Sequence, residues 1–101
     1  MKKVYVFDID ETICGKVENG NYQDAEPWHR RIEVVNNLYS EGHTIVYQTA
    51  RGMGRHKNNP ILAIQDFYHI TENQLERWGA KYHCLILGKP MGDYYIDDKG
   101  V

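Results

Sequence analysis

At 101 residues the chain has room for one domain and one hydrophobic core, and none for a separate substrate domain. A formal charge of −2 excludes a global attraction to nucleic acid or anionic membrane, so any anion recognition must be local. Cys14 and Cys84, with neither a CxxC pair nor zinc-site spacing, read as reduced thiols of a cytoplasmic protein. Met1-Lys2-Lys3 is followed by too short an apolar run for a targeting segment, and no stretch approaches a membrane span.

Val4-Tyr5-Val6-Phe7 is β-branched and aromatic, and ends in Asp8-Ile9-Asp10-Glu11-Thr12. The run predicts a buried strand whose carboxyl end opens at the mouth of a sheet, where ligands bind in open α/β folds. Asp8 and Asp10, two apart, leave the same face of an extended chain and turn Ile9 the other way. Carboxylates this close call for a shared proton or a hard cation, unless they form only an acidic strand end with an Asx turn. Asn19-Gly20 is the strongest hairpin signal in the chain. It predicts a small β-flap beside the two aspartates, with an ordinary surface loop as the alternative.

Pro27 suits a first helical position, and Trp28, Ile32, Val35, Leu38 and Tyr39 follow at helical spacing up to Gly42. Thr44 to Gln48 repeats the strand pattern and ends in Thr49-Ala50-Arg51-Gly52. A helix between two such strands predicts a right-handed βαβ unit with Thr49 at the same edge as Asp8. Arg51, Arg55, His56 and Lys57 read either as solvated surface or as donors for a phosphate. Pro60 to Ile70 predicts a helix. Thr71 and Gln74 look like a capping box, which predicts a break near 69–71 and a second helix up to Gly79. Cys84 to Leu87 is a third strand leading into Gly88-Lys89-Pro90, and Tyr94 to Ile96 a fourth ending in Asp97-Asp98.

A parallel sheet would bring Asp8 and Asp10, Thr49, Lys89, and Asp97 and Asp98 to one edge. Carboxylates there can hold Mg2+, a hydroxyl and an ammonium can hold phosphoryl oxygens, and a free carboxylate can attack phosphorus.

These motifs, DxDxT at Asp8 to Thr12, the strand-end Thr49, Lys89 of Gly88-Lys89-Pro90 and the acidic pair Asp97-Asp98, resemble the haloacid dehalogenase (HAD) superfamily of aspartate-nucleophile phosphohydrolases. More narrowly, Thr49-Ala50-Arg51 after the second strand, Trp78-Gly79 before the third, and Leu87-Gly88-Lys89-Pro90 with Tyr95-Ile96-Asp97-Asp98 are similar to small capless members associated with capsule or surface-polysaccharide biosynthesis. The resemblance implies a three-layer Rossmann-like α/β domain over residues 1–101, with a parallel sheet, flanking helices and no cap domain. It implies a Mg2+-dependent phosphomonoesterase in which Asp8 forms an aspartyl phosphate, Asp10 protonates the leaving oxygen and then activates water, and Thr49 and Lys89 hold the phosphoryl group. Asp8, Asp10 (through its carbonyl), Asp97 and Asp98 would hold the metal, with Thr12 and Arg51 as expected substrate contacts. Glu11 stands where glycine is frequent in that superfamily.

The expected substrate is a small phosphorylated metabolite such as a sugar phosphate. An open site also admits a polynucleotide 3′-phosphatase, whose substrate backbone Arg51, Arg55 and Lys57 would follow. A binding module with a decayed active site is the reading from outside catalysis. The absence of further elements after the acidic pair predicts an exposed sheet edge or a homo-oligomer.

Overall fold

The computed structural model describes residues 1–18 and 20–90. The elements run β1 (Val4–Asp8), a 3-10 turn (Tyr22–Asp24), α1 (His29–Ser40), β2 (Thr44–Thr49), α2 (Pro60–Arg77) and β3 (Cys84–Leu87). The three described strands are parallel in the order β1-β2-β3, with Val4 opposite Thr44, Asp8 opposite Gln48, and Thr49 opposite Leu87. The protein is thus a small α/β fold whose parallel sheet is joined by two helical crossovers, as the alternation of β-rich runs and amphipathic helices predicts. The expected fourth strand and the Asp97-Asp98 pair lie outside the described residues.

Three layers were expected, and the described residues form two. Strand order advances in one direction and the crossover hand is fixed, so both helices must land on the same face. Ile32 and Val35 of α1 and Phe67 and Leu75 of α2 accordingly share one core with Ile45, Tyr47, Leu85 and Leu87 of the sheet. The alternate residues Val4, Val6 and Ile86 face away from that core and are about half exposed or more, at 65%, 54% and 47%. Strand alternation therefore gives β1 and β3 one wet and one dry face among the described residues.

The helix boundaries have local causes. Helix α1 starts at His29 rather than Pro27, because Pro27 is held in an antiparallel bridge to Cys14. It closes as expected at Gly42, whose N–H donates to the Tyr39 carbonyl while His43 donates to Leu38. Asn59 caps α2, its Oδ1 accepting from the N–H groups of Ile61 (3.0 Å) and Leu62 (3.4 Å), with Pro60 in the first turn. The break expected near 69–71 does not occur, and α2 is one helix of 18 residues. Thr71 and Gln74, read as a capping box, are fully buried and bond inward to Arg51 instead.

Candidate active site

The carboxyl ends of β1, β2 and β3 open into one cleft lined by Asp8, Asp10, Lys16, Thr49 and Lys89, among others. Beyond β1 the chain turns sharply. Thr12 and Ile13 both donate backbone N–H groups to the Ile9 carbonyl, at 3.1 and 3.0 Å, and Ile9 and Ile13 are fully buried. These two isoleucines pin the turn to the core, so the aspartates on either side of Ile9 face the cleft. The turn requires Glu11 at φ 65°, a left-handed conformation that favours glycine.

Lys89 reaches the cleft because β3 keeps pairing past its last residue, with Lys89 N–H donating to the Thr49 carbonyl at 3.3 Å. Its ammonium lies 2.8 Å from Asp8 Oδ1. Both side chains are part exposed, Lys89 at 29% and Asp8 at 47%, which leaves Asp8 accessible to a substrate. Thr49 is buried, and its Oγ1 accepts the Arg51 N–H at 3.1 Å, so the hydroxyl proton is not used in that bond.

Arg51, an expected substrate contact, is among the residues lining the cleft. Its side chain is fully buried, and every one of its five N–H donors has a partner. Nε donates to Asp10 Oδ2 at 3.0 Å and Nη2 to Asp10 Oδ1 at 2.9 Å, a bidentate pair. Nη1 donates to Thr71 Oγ1 at 3.2 Å and Gln74 Oε1 at 2.7 Å, and Nη2 also approaches Cys14 Sγ at 3.9 Å. The guanidinium lies 4.8 Å from the centre of the Tyr22 ring. A buried cation is costly unless its charge and donors are met, and among the described residues the Asp10 carboxylate meets the charge.

Around this pair the thiol of Cys14 is pushed up to about 12, first by burial and then by the Asp10 charge beside it. Cys14 is therefore a neutral thiol against Asp10 Oδ1 at 3.6 Å. Thr12 is not among the residues lining the cleft; its carbonyl accepts from Arg31 Nη1 at 3.3 Å.

The flap between Ile13 and Trp28 contains no strand among its described residues. Its base is closed by two backbone bonds, Gly15 N–H to the Glu26 carbonyl (2.9 Å) and Trp28 N–H to the Ile13 carbonyl (2.8 Å). Its far side is docked on α2 and on the loop after β2. The Tyr22 carbonyl accepts from Gln74 Nε2 at 2.6 Å, and the Tyr22 ring meets Phe67 edge-on at 5.1 Å. A Cβ at Gly20 would lie 2.5 Å from Arg55 Nη2, and Arg55 is itself stacked over Phe67. Arg55, expected as surface or a phosphate donor, is exposed and also packs against the flap.

Sequence reasoning singled out the aspartates, Thr49, Arg51 and Lys89, and missed Cys14, Tyr22 and Lys16. It misassigned Thr71 and Gln74. The signal for those two was their phase: with Phe67 and Leu75 they fall on one helix stripe, so they are polar residues facing a core.

Among the described residues no three His, Cys, Asp or Glu side chains gather as a metal set. Asp97 and Asp98 lie outside the described residues. Among the described helices none is long and apolar enough to cross a membrane.

No protein-family profile matches the chain, and no curated protein matches it. Solved structures do. A Vibrio cholerae protein known from its crystal structure is 28% identical over 100% of this chain and 83% of its own, with a TM-score of 0.83. A chain of the Pnkp1/Rnl/Hen1 complex is 15% identical over 98% of this chain, with a TM-score of 0.66. A chain from the Pnkp1/Rnl/Hen1 RNA repair complex is 16% identical over 93%, with a TM-score of 0.65. This chain spans 31% and 28% of those two longer chains, and at such identity the likeness is one of fold.

Proposed function

We propose that this chain is a phosphomonoesterase of the HAD type, using Asp8 as nucleophile. The observation that carries the reading is the Lys89–Asp8 contact of 2.8 Å in an open cleft that also holds Thr49 and Asp10. A phosphate ester and a carboxylate repel, and an ammonium placed on the nucleophile's own oxygen offsets that repulsion while fixing its direction. The Thr49 hydroxyl offers a proton to a phosphoryl oxygen. Asp8 attacks phosphorus, the ester oxygen leaves with a proton from Asp10, and Asp10 then takes a proton from the water that cleaves the aspartyl phosphate.

Mg2+ fits the donors present, which are oxygens only. The Asp8 carboxylate, about half exposed, and the Asp10 carbonyl would hold it, with Asp97 and Asp98 as further candidates. When bound, the ion supplies charge neutralisation at the phosphoryl oxygens.

A small phosphorylated metabolite such as a sugar phosphate suits the volume of the cleft, about 490 Å³. A polynucleotide 3′-phosphatase is the second reading, supported by the likeness of fold to chains of an RNA repair complex and by a cleft that no further domain covers among the described residues. Incubation with labelled esters of both classes tests the proposal. Hydroxylamine-sensitive label on the wild type, none on Asp8→Asn, and loss of turnover in EDTA are expected. Turnover by Asp8→Asn at the wild-type rate would exclude the aspartyl-phosphate route, and turnover of the oligonucleotide alone would select the second reading.

A further inference from the structure

We propose that Arg51 is a positioning residue for Asp10 and that Gln74 in turn fixes Arg51, a role that rests on the phosphatase reading above. An aspartate at a strand end ordinarily turns freely about two side-chain torsions, and a proton donor is effective only when its oxygen is held at the leaving atom. Here the bidentate pair at 2.9 and 3.0 Å fixes the plane of the Asp10 carboxylate. A guanidinium is a rigid planar fork, so its own plane must also be fixed, and α2 does this through Thr71 (3.2 Å) and Gln74 (2.7 Å) on Nη1.

The pattern of contacts also selects the oxygen. Among the described residues, Oδ1 of Asp10 is met by Arg51 Nη2 and by the Cys14 thiol at 3.6 Å, whereas Oδ2 is met by Arg51 Nε alone. Each carboxylate oxygen has two acceptor positions, so Oδ2 keeps one for the proton that passes to the ester oxygen as the P–O bond breaks. Asp8 gains the phosphoryl group in that step, the alcohol departs neutral, and Asp10 is left as the carboxylate that Arg51 pairs with.

The same side chains tie the flap to the donor. Gln74 accepts from Arg51 through Oε1 and donates through Nε2 to the Tyr22 carbonyl at 2.6 Å, and Gly52 N–H reaches Tyr22 Oη at 3.4 Å. The flap that brings Lys16 to the cleft and the carboxylate that donates the proton are therefore registered on one amide.

The test separates proton donation from everything else by the leaving group. A simple alkyl phosphate needs a proton on its departing oxygen, while p-nitrophenyl phosphate leaves as a stable anion without one. Arg51→Lys keeps the charge and loses the fork. It is expected to lower kcat/KM for the alkyl ester by about 100-fold or more, and for the nitrophenyl ester by less than about 10-fold. Gln74→Met, close in length, is expected to show the same split at about 10-fold, and decides the matter alone if Arg51→Lys does not fold. Equal losses on both esters, or no loss on the alkyl ester, would overturn the positioning role and leave the phosphatase reading intact. A wild type that turns over neither ester overturns both.

Discussion

Gly52 and Phe67 are packed so closely that a Cβ on Gly52 would lie 2.5 Å from the ring Cδ2 of Phe67 and 3.2 Å from Ala63 Cα. Gly52 also has φ 81°, so a side chain there meets both backbone strain and a wall. Gly52→Ala is expected to destabilise the protein by about 2–4 kcal/mol, the sum of overpacking and a left-handed non-glycine residue. Thermal unfolding should show a Tm at least about 10 °C lower. An unchanged Tm would mean that α2 does not lie this close to the loop after β2.

Glu11→Gly is expected to act in the opposite direction. Glu11 is exposed and held at φ 65°, and glycine removes that strain at some cost in unfolded-chain entropy. A gain of up to about 1 kcal/mol is expected in denaturant unfolding. A loss would show that the Glu11 side chain stabilises the turn.

Lys89→Met separates the site from the fold. A part-exposed ion pair contributes about 0–1 kcal/mol, so Tm should move little, whereas the proposed turnover should fall by about 100-fold or more. Retained activity with Lys89 gone would remove the central contact of the functional reading.

Tyr47 is fully buried and its Oη has no hydrogen-bond partner among the described residues, so Tyr47→Phe removes an unmet polar atom at no cost in shape. A gain of about 1 kcal/mol is expected at neutral pH. Burial pushes the Tyr47 phenol up to about 12 from 10.0. A raised value means the folded form keeps its proton while the unfolded form loses it, so stability falls as pH rises from about 10 to 12. Urea midpoints across that window should fall less steeply for the phenylalanine variant.

The two thiols should differ under native alkylation. Cys84 is exposed, whereas Cys14 is buried with its thiol pushed up to about 12. Mass spectrometry after iodoacetamide at pH 8 should find one modified residue, Cys84, and two after denaturation. Native modification of Cys14 would mean that the turn after β1 opens.

The three described strands and the edge they share were legible because β-rich runs ending in polar residues carry their own direction. Once a helix joins two of them, parallel pairing places Asp8, Thr49 and Lys89 together. Arg51 was not legible. Three more basic residues follow it by position 57, so composition alone marks a solvated loop, and its partners Thr71 and Gln74 carry the spacing of a helix start. Only tertiary packing reveals that the pair answers a buried cation on the far side of a turn. The flap was half legible: Gly20 turns at φ 70° and its base is bridged at Cys14 and Pro27, but Tyr22 leaves for the core and no strand forms beyond that bridge among the described residues.

Lys89 stands 81 residues after the aspartate that it touches. At about 5–20 residues per second, a ribosome makes the ammonium about 4–16 s after the carboxylate. For the later part of that interval, once Thr49 has been made, β1, α1 and β2 have what they need to pair, and Asp8 has no cation from β3. The nascent protein can therefore be folded in part and still hold an uncompensated anion at its mouth. On the phosphatase reading proposed above, turnover at this cleft must wait for the last of the three described strands, so assembly of β3 comes before any chemistry there.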